Sequence, residues 1–270
     1  MEYTINNRKI NVRIDGETAH GEEIILLHKD DNLIKETIWA NEGFTISGFL
    51  DELENEKLLN GIRKLLSIIL GSLNIHLPEN FNPEKLHEMP GLDEELYSRL
   101  MQKTSFFPTN ILPVDAKVFT DRLSEICHAP LTIKNPFTQL ELFHIRIVRP
   151  NSNDNNPLHR DVWLDRLRNA VNIYLPLFGS NELSSLCIVP ESHLWMESEI
   201  ERTAEGALVN GKPFTVPAVT GSKRKMDFFR PDPKNGEVLV FSPYLIHGGA
   251  MNFNPDQTRM SLEMRLWRAK

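Results

Sequence analysis

The chain changes character according to how its apolar residues are spaced. From Asp51 onward, Leu58, Leu59, Ile62, Leu65, Leu66 and Ile69 recur at three- and four-residue intervals, which predicts an amphipathic helix. Asp51 followed by Glu54 supplies a capping box at its start. Asn82-Pro83 reads as an N-cap and a first helical residue, and 92–103 and 114–127 read as two further helices. Ahead of these, RKINVRI (8–14) and EEIILLH (22–28) read as a strand pair joined through Asp15-Gly16. Residues 1–130 are expected to form a largely helical N-terminal layer with a small β entry.

Beyond residue 131 the apolar period shortens. LELFHIRIV (140–148), AVNIYLPL (170–177), SLCIVP (185–190), EVLVFSP (237–243) and RMSLEMRLW (259–267) read as strands, and Asn210-Gly211 marks a tight hairpin. No helical pattern of useful length separates most of them. This favours an antiparallel sandwich or barrel over βαβ units. Pro130 is the one punctuation mark at the change and no linker is visible. The expectation is a single domain over 1–270: a helical layer at 1–130 and a mainly β core at 131–270. Residues 194–235 would be a long insert between core strands, the natural lid.

Composition narrows the setting. Thirty basic against 37 acidic residues give a net charge of −7. That balance argues against a broad nucleic-acid or anionic-membrane surface, which needs clustered Lys and Arg. Two cysteines, Cys127 and Cys187, are too few for a disulfide framework and lack metal-pair spacing, so both read as buried thiols. The N-terminus is charged from residue 2, and the most apolar stretch, Leu65 to Leu70, is far short of a membrane span. These features predict a cytoplasmic protein with neither nucleic acid nor membrane as partner. The charge is uneven: residues 1–130 hold 13 basic and 22 acidic side chains, and residues 131–270 hold 17 and 15.

The near-neutral half carries the candidate chemistry. His159-Arg160-Asp161 is followed by His247, then by Arg259 and Ser261. A His-x-Asp pair with a distant second His is the ligand set of a facial triad, which leaves open positions on Fe(II) for a bidentate co-substrate and O₂. His-x-Asp alone is common, and the chain supplies a decoy, His28-Lys29-Asp30, with no matching downstream context. His159 differs in its surroundings. It follows a strand and the polar loop RPNSNDNNP, and His247 lies directly after EVLVFSPYLI with Gly248 and Gly249 letting the backbone crowd the same region. In the final strand Arg259, Ser261, Glu263, Arg265 and Trp267 share one face. An Arg and a Ser inside a barrel beside a metal are costly unless an anion binds there.

These pieces resemble the phytanoyl-CoA dioxygenase (PhyH-like) family of Fe(II)/2-oxoglutarate oxygenases. The match rests on His159-Arg160-Asp161, AVNIYLPL, Val189-Pro190-Glu191-Ser192-His193, GEVLVFSPYLIHGG and TRMSLEMR, with a weaker echo in EGFTISGFLDELENEKLL. Where the family usually has Gly this chain has Glu191. The resemblance implies a double-stranded β-helix (jelly-roll). It implies iron ligands His159, Asp161 and His247, and Arg259 on the distal carboxylate of 2-oxoglutarate with Ser261 beside it. A further co-substrate contact would come from His144 or Arg146, between which the sequence does not choose. Asn172 and Tyr174 would line the pocket, and His193 would be structural. Because related halogenases lack the carboxylate, Asp161 implies hydroxylation or a desaturation-type outcome on a small-molecule substrate. The basic run Ser222-Lys223-Arg224-Lys225 suits an anionic one such as a CoA ester, phosphate or carboxylate, while a small polar metabolite, a sugar-like unit or an amino acid fits the sequence equally.

Three other readings share some of these residues. His-Arg-Asp opens the kinase catalytic loop, but Arg166 stands where that loop needs Asn and no Asp-Phe-Gly or glycine-rich loop accompanies it. A cupin-like isomerase or lyase would use the barrel without 2-oxoglutarate, yet such sites usually add a His or Glu near the first ligand. A non-catalytic jelly-roll binding module would not need the triad and Arg259 together.

Overall fold

Strict alternation in the last strand sets the architecture. In Arg259–Arg268, Met260, Leu262, Met264 and Leu266 join the main core, while the residues between them form a polar row on the other face. This strand lies at the heart of a sheet ordered Phe44–Gly48, Glu237–Phe241, Ala170–Phe178, Arg259–Arg268, Leu142–Val148, Phe107–Pro108. All its pairings are antiparallel. The register sets Asn172 opposite Arg265, Tyr174 opposite Glu263, and Ser261 opposite both Pro176 and Arg146. The computed structural model describes residues 1–78, 80–153, 156–249 and 251–269.

The opposing wall is made of shorter pairings. Cys187–Ile188 pairs with His247–Gly248, His159 bridges to His247, and Ile188 bridges to Phe229. The two walls form the double-stranded β-helix. Of the polar loop before His159, positions 154 and 155 lie outside the described residues.

Three helices cover the outer face of the large sheet. Helix α1 (Glu52–Gly71) begins with the expected capping box, Asp51 accepting from Glu54 N and Glu54 from Asp51 N. It buries Leu58, Ile62, Leu66, Ile69 and Leu70. Helix α2 (Glu94–Lys103) and helix α3 (Ala116–Cys127) add Leu100, Phe119, Leu123 and Cys127 to the same core, against Val171, Ile173, Val238 and Leu262. At roughly 25 cal/mol per Å² of apolar area buried, this contact is the main source of stability. Asn82 caps a short 3₁₀ turn, Pro83–Glu88. Both cysteines are buried, and burial pushes each thiol up to about 12.

The N-terminal strand pair forms differently from the expectation. Residues 22–28 are not a strand; Leu26–Lys29 is a 3₁₀ turn. The local hairpin joins Glu2–Ile5 to Arg8–Asn11, turning on Asn6 (φ 50°) and Asn7 (φ 57°). Two adjacent positive φ values are what a two-residue turn needs to match strand twist, and Asn tolerates them. The chain then runs into the insert. Ile14–Asp15 pairs with Ala207–Val209, and Thr18–His20 pairs with Ile200–Thr203, so His20 lies in a strand. Within the insert Asn210-Gly211 turns the predicted hairpin, Ala207–Val209 with Lys212–Phe214.

Candidate active site

His159 and His247 are cross-strand neighbours. The amide of each donates to the carbonyl of the other, at 2.9 and 3.0 Å, which stacks the two rings with centroids 4.4 Å apart. Asp161 follows two residues after His159, its amide donating to Pro243 O as the chain enters a 3₁₀ turn. His159 Nε2 lies 3.5 Å from Asp161 Oδ1, and His247 Nε2 lies 3.6 Å from Oδ2. One ligand atom from each residue falls within 4.8 Å of the others, and all three residues are buried.

Each imidazole is oriented by its own backbone. Nδ1 of His159 faces Pro157 O at 2.9 Å, and Nδ1 of His247 faces Leu245 O at 2.9 Å. A carbonyl only accepts, so each Nδ1 carries the hydrogen and each Nε2 keeps a lone pair. Burial pushes His247 down to about 4, with His159 adding to the effect. Asp161 is pushed up by burial, but opposing effects led by the charge of Arg265 outweigh this and hold the carboxyl well below the usual range. Two neutral imidazoles and one carboxylate, converging in a buried place, are the donor set that a divalent transition metal takes. The site therefore fits Fe(II).

Asn172 donates to Asp161 Oδ2 at 2.7 Å, and Arg265 Nη2 donates to Oδ1 and Oδ2 at 2.9 and 3.0 Å. Phe241 and Phe214 stand edge-on to His247 and His159, at 5.0 and 5.2 Å, and close the site with apolar walls. Phe214 comes from the insert.

The remaining expected residues separate into two groups. His144, Arg146, Asn172 and Tyr174 line a cavity of about 90 Å³ together with His159, His247, Glu263 and Arg265. Arg146 is engaged, its Nε bonding both oxygens of Glu263 at 2.8 and 3.0 Å. His144 is pushed down to about 4, by burial first, and stacks edge-on against Phe106. Arg259 and Ser261 are fully buried behind this lining. Arg259 Nε donates to Ser184 O and Nη1 to Ser261 Oγ, and Ser261 in turn donates to Glu263 Oε1 at 3.2 Å. A hydrogen-bonded row thus runs from Arg259 through Ser261 and Glu263 to Arg146. Burial raises Glu263, but Arg146 overrides it and brings the carboxyl down to about 2.

His193 is structural as expected: Nε2 bonds Ala40 O at 2.9 Å, and Ser192 Oγ joins Val189 O to Ile246 N. Glu191 adopts φ 62°, the conformation for which the family's Gly is suited. The decoy is engaged elsewhere, with Asp30 accepting from Tyr244 Oη at 2.6 Å. Two features escaped the sequence reading. Arg265 lies on the predicted inward face, and only its position opposite Asn172 signals its contact with Asp161. Arg160, fully buried between the two ligands, pairs with Glu197 of the insert, and Glu197 also accepts from Trp163 Nε1 at 2.8 Å. No motif announces that pair.

Among the described residues no helix is long and apolar enough to cross a membrane. In overall shape the chain is similar to EctD from S. alaskensis in its apoform, with TM-score 0.47, 12% identity, and 96% of this chain and 85% of that one covered. It is similar to AviO1 from Streptomyces viridochromogenes Tue57, with TM-score 0.48, 13% identity, and coverage of 85% and 91%. It is also similar to SnoN, a non-heme alpha ketoglutarate dependent epimerase from nogalamycin biosynthesis, with TM-score 0.47, 13% identity, and coverage of 86% and 80%. No curated protein matches it in sequence. The phytanoyl-CoA dioxygenase (PhyH) family matches residues 42–261. With most of its length matched and a buried His-Asp-His cluster at the centre, the chain belongs to the phytanoyl-CoA dioxygenase family and is an Fe(II)- and 2-oxoglutarate-dependent, dioxygenase-type enzyme.

Proposed function

We propose that this enzyme hydroxylates a C–H bond of a small molecule, with His159, Asp161 and His247 holding the iron. The observation that carries the assignment is the convergence of two Nε2 lone pairs and one carboxylate within 4.8 Å in a buried site. Bound there, iron supplies with O₂ the oxidative decarboxylation of 2-oxoglutarate to succinate and CO₂, and with it the oxidising power for an unactivated C–H bond. The chain's own residues prepare that chemistry. Pro157 O and Leu245 O fix the imidazole tautomers, and Asn172 and Arg265 hold Asp161 ionised and oriented. Phe214 and Phe241 exclude water. Arg259 and Ser261 receive the far carboxylate of 2-oxoglutarate, Ser261 Oγ turning to it from Glu263. The fork of Arg suits that carboxylate better than Lys would. Of the two undecided residues, Arg146 acts through Glu263, and neutral His144 forms an apolar edge of the pocket.

The test is succinate release dependent on both iron and 2-oxoglutarate, with substrate products analysed by mass spectrometry. Asp161→Ala is expected to abolish release, and the product to gain one oxygen. Full activity in Asp161→Ala sinks the ligand assignment. A product unchanged in mass would replace hydroxylation by isomerisation, and loss of two hydrogens would replace it by desaturation.

A further inference from the structure

The polar row of the final strand contains a cation that the proposed chemistry leaves over. Arg265 lines the cavity, and its side chain is 33% exposed. Both of its bonds to Asp161 run from Nη2 alone. Among the described residues its buried Nε has no acceptor. Buried polar groups without partners are costly, and in a cavity they mark where a ligand's own polar atoms belong.

Charge points the same way. Around the site Arg146, Arg259 and Arg265 stand against Asp161 and Glu263, an excess of one positive charge. A ferrous ion and dianionic 2-oxoglutarate cancel each other, so the excess survives loading. Glu263 is committed to Arg146. Asp161, which accepts from Arg265 through Nη2 only, would also serve the iron. Arg265 would thus share its counter-charge with the iron, while its Nε keeps no acceptor of its own among the described residues.

We propose that Arg265 anchors a carboxylate of the prime substrate, which makes the substrate a small organic acid presenting that carboxylate beside the iron ligands. The planar two-oxygen group matches a guanidinium. The cavity of about 90 Å³ holds about three waters at liquid density, so a short acid end enters it and a bulky group does not. This inference rests on the iron and 2-oxoglutarate reading above.

The test uses the full chain loaded with redox-inert Zn(II) and N-oxalylglycine, an unreactive analogue of 2-oxoglutarate. Propionate and its neutral counterpart propionamide are titrated by ligand-observed NMR. Propionate is expected to bind about tenfold or more tightly than the amide, as a charge-assisted pair implies. Arg265→Gln, titrated at saturating Zn(II) because Arg265 also holds Asp161, should erase the preference. Arg265→Lys, which keeps the charge but not the fork, should lose most of it. Equal binding of the two probes, a preference that survives Arg265→Gln, or propionate binding only when N-oxalylglycine is absent overturns the anchor. If Arg265→Gln weakens Zn(II) binding but keeps the preference at saturating Zn(II), Arg265 only positions Asp161 and the anchor is overturned. Zn(II) binding that is absent, or unchanged in His159→Ala, overturns the underlying iron reading instead.

Discussion

Replacing Gly248 by Ala tests how the two histidines are held side by side. Gly248 has φ 123°, which L side chains rarely adopt, and an added Cβ falls far inside the contact distance of Pro157 O and 3.2 Å from Nδ1 of His159. The same carbonyl accepts the His159 Nδ1 hydrogen at 2.9 Å. Relieving the clash requires the two segments to part by on the order of 1 Å, which breaks that bond or tilts the ring. Backbone strain at such a φ costs about 1–3 kcal/mol and a lost hydrogen bond about 1 kcal/mol more, so the apo protein should lose roughly 2–4 kcal/mol. Disturbing the group that orients a metal-binding His typically costs about 10–100-fold in affinity. Urea unfolding measures the first effect, and calorimetric titration with Co(II) measures the second. Gly211→Ala is the control. Its φ is 80° but nothing lies within 4 Å of its Cβ, so it should cost about 1 kcal/mol and leave metal binding alone. If Gly248→Ala matches that control in both measurements, the backbone contact does not orient His159 and the reasoning fails.

Glu197→Gln leaves Arg160 buried without its counter-charge, so unfolding stability should fall by about 3–5 kcal/mol. The insert that carries Glu197 should also be cut faster by trypsin near Arg202, read by mass mapping. His193 is kept neutral by burial, with a value of about 4 in the fold against 6.5 as the ordinary value. Its stabilising contribution is complete above pH 6.5 and disappears as pH falls toward 4, at most about 3 kcal/mol. His193→Gln, followed by denaturant titrations across that window, should flatten the acid slope; an unchanged slope refutes the assignment. Phe119, fully buried and edge-on to Phe49 at 5.1 Å, should cost about 3–5 kcal/mol when cut to Ala, with metal binding unchanged.

Much of this arrangement is legible because it is written at short range. The capping box at Asp51 and Glu54 needs only three residues. The alternation Arg259, Ser261, Glu263, Arg265 needs only the strand period, and it puts the polar row on the correct face. His159-x-Asp161 is legible for the same reason. What escapes is pairing across the chain. The strand partners of 14–15 and 18–20 lie in the insert nearly two hundred residues later, and no local pattern names them. The Asn6-Asn7 turn was passed over because Asp15-Gly16 is the stronger conventional signal, while two Asn residues at positive φ do the same job nearby. Arg265 on Asp161 and Arg160 on Glu197 join different elements, so they appear only once the strands are in register.

The union of the N-terminal strands with the insert also governs the order of assembly. Ile200–Thr203 has Val219–Ser222 on one side and Thr18–His20 on the other, and Ala207–Val209 is flanked by Lys212–Phe214 and Ile14–Asp15. During synthesis the first twenty residues wait for these partners until most of the chain has been made, and closing so long a loop is slow. Until then Ile14–Asp15 and Thr18–His20 stand unpaired, the kind of edge that recruits a strand from another molecule. Phe214, which walls in His159, belongs to the same late hairpin. Maturation of the active site is thereby tied to capture of the oldest part of the chain by one of its newest, and a truncation or bulky fusion at the first strands would act as a folding lesion that reads out as lost metal binding.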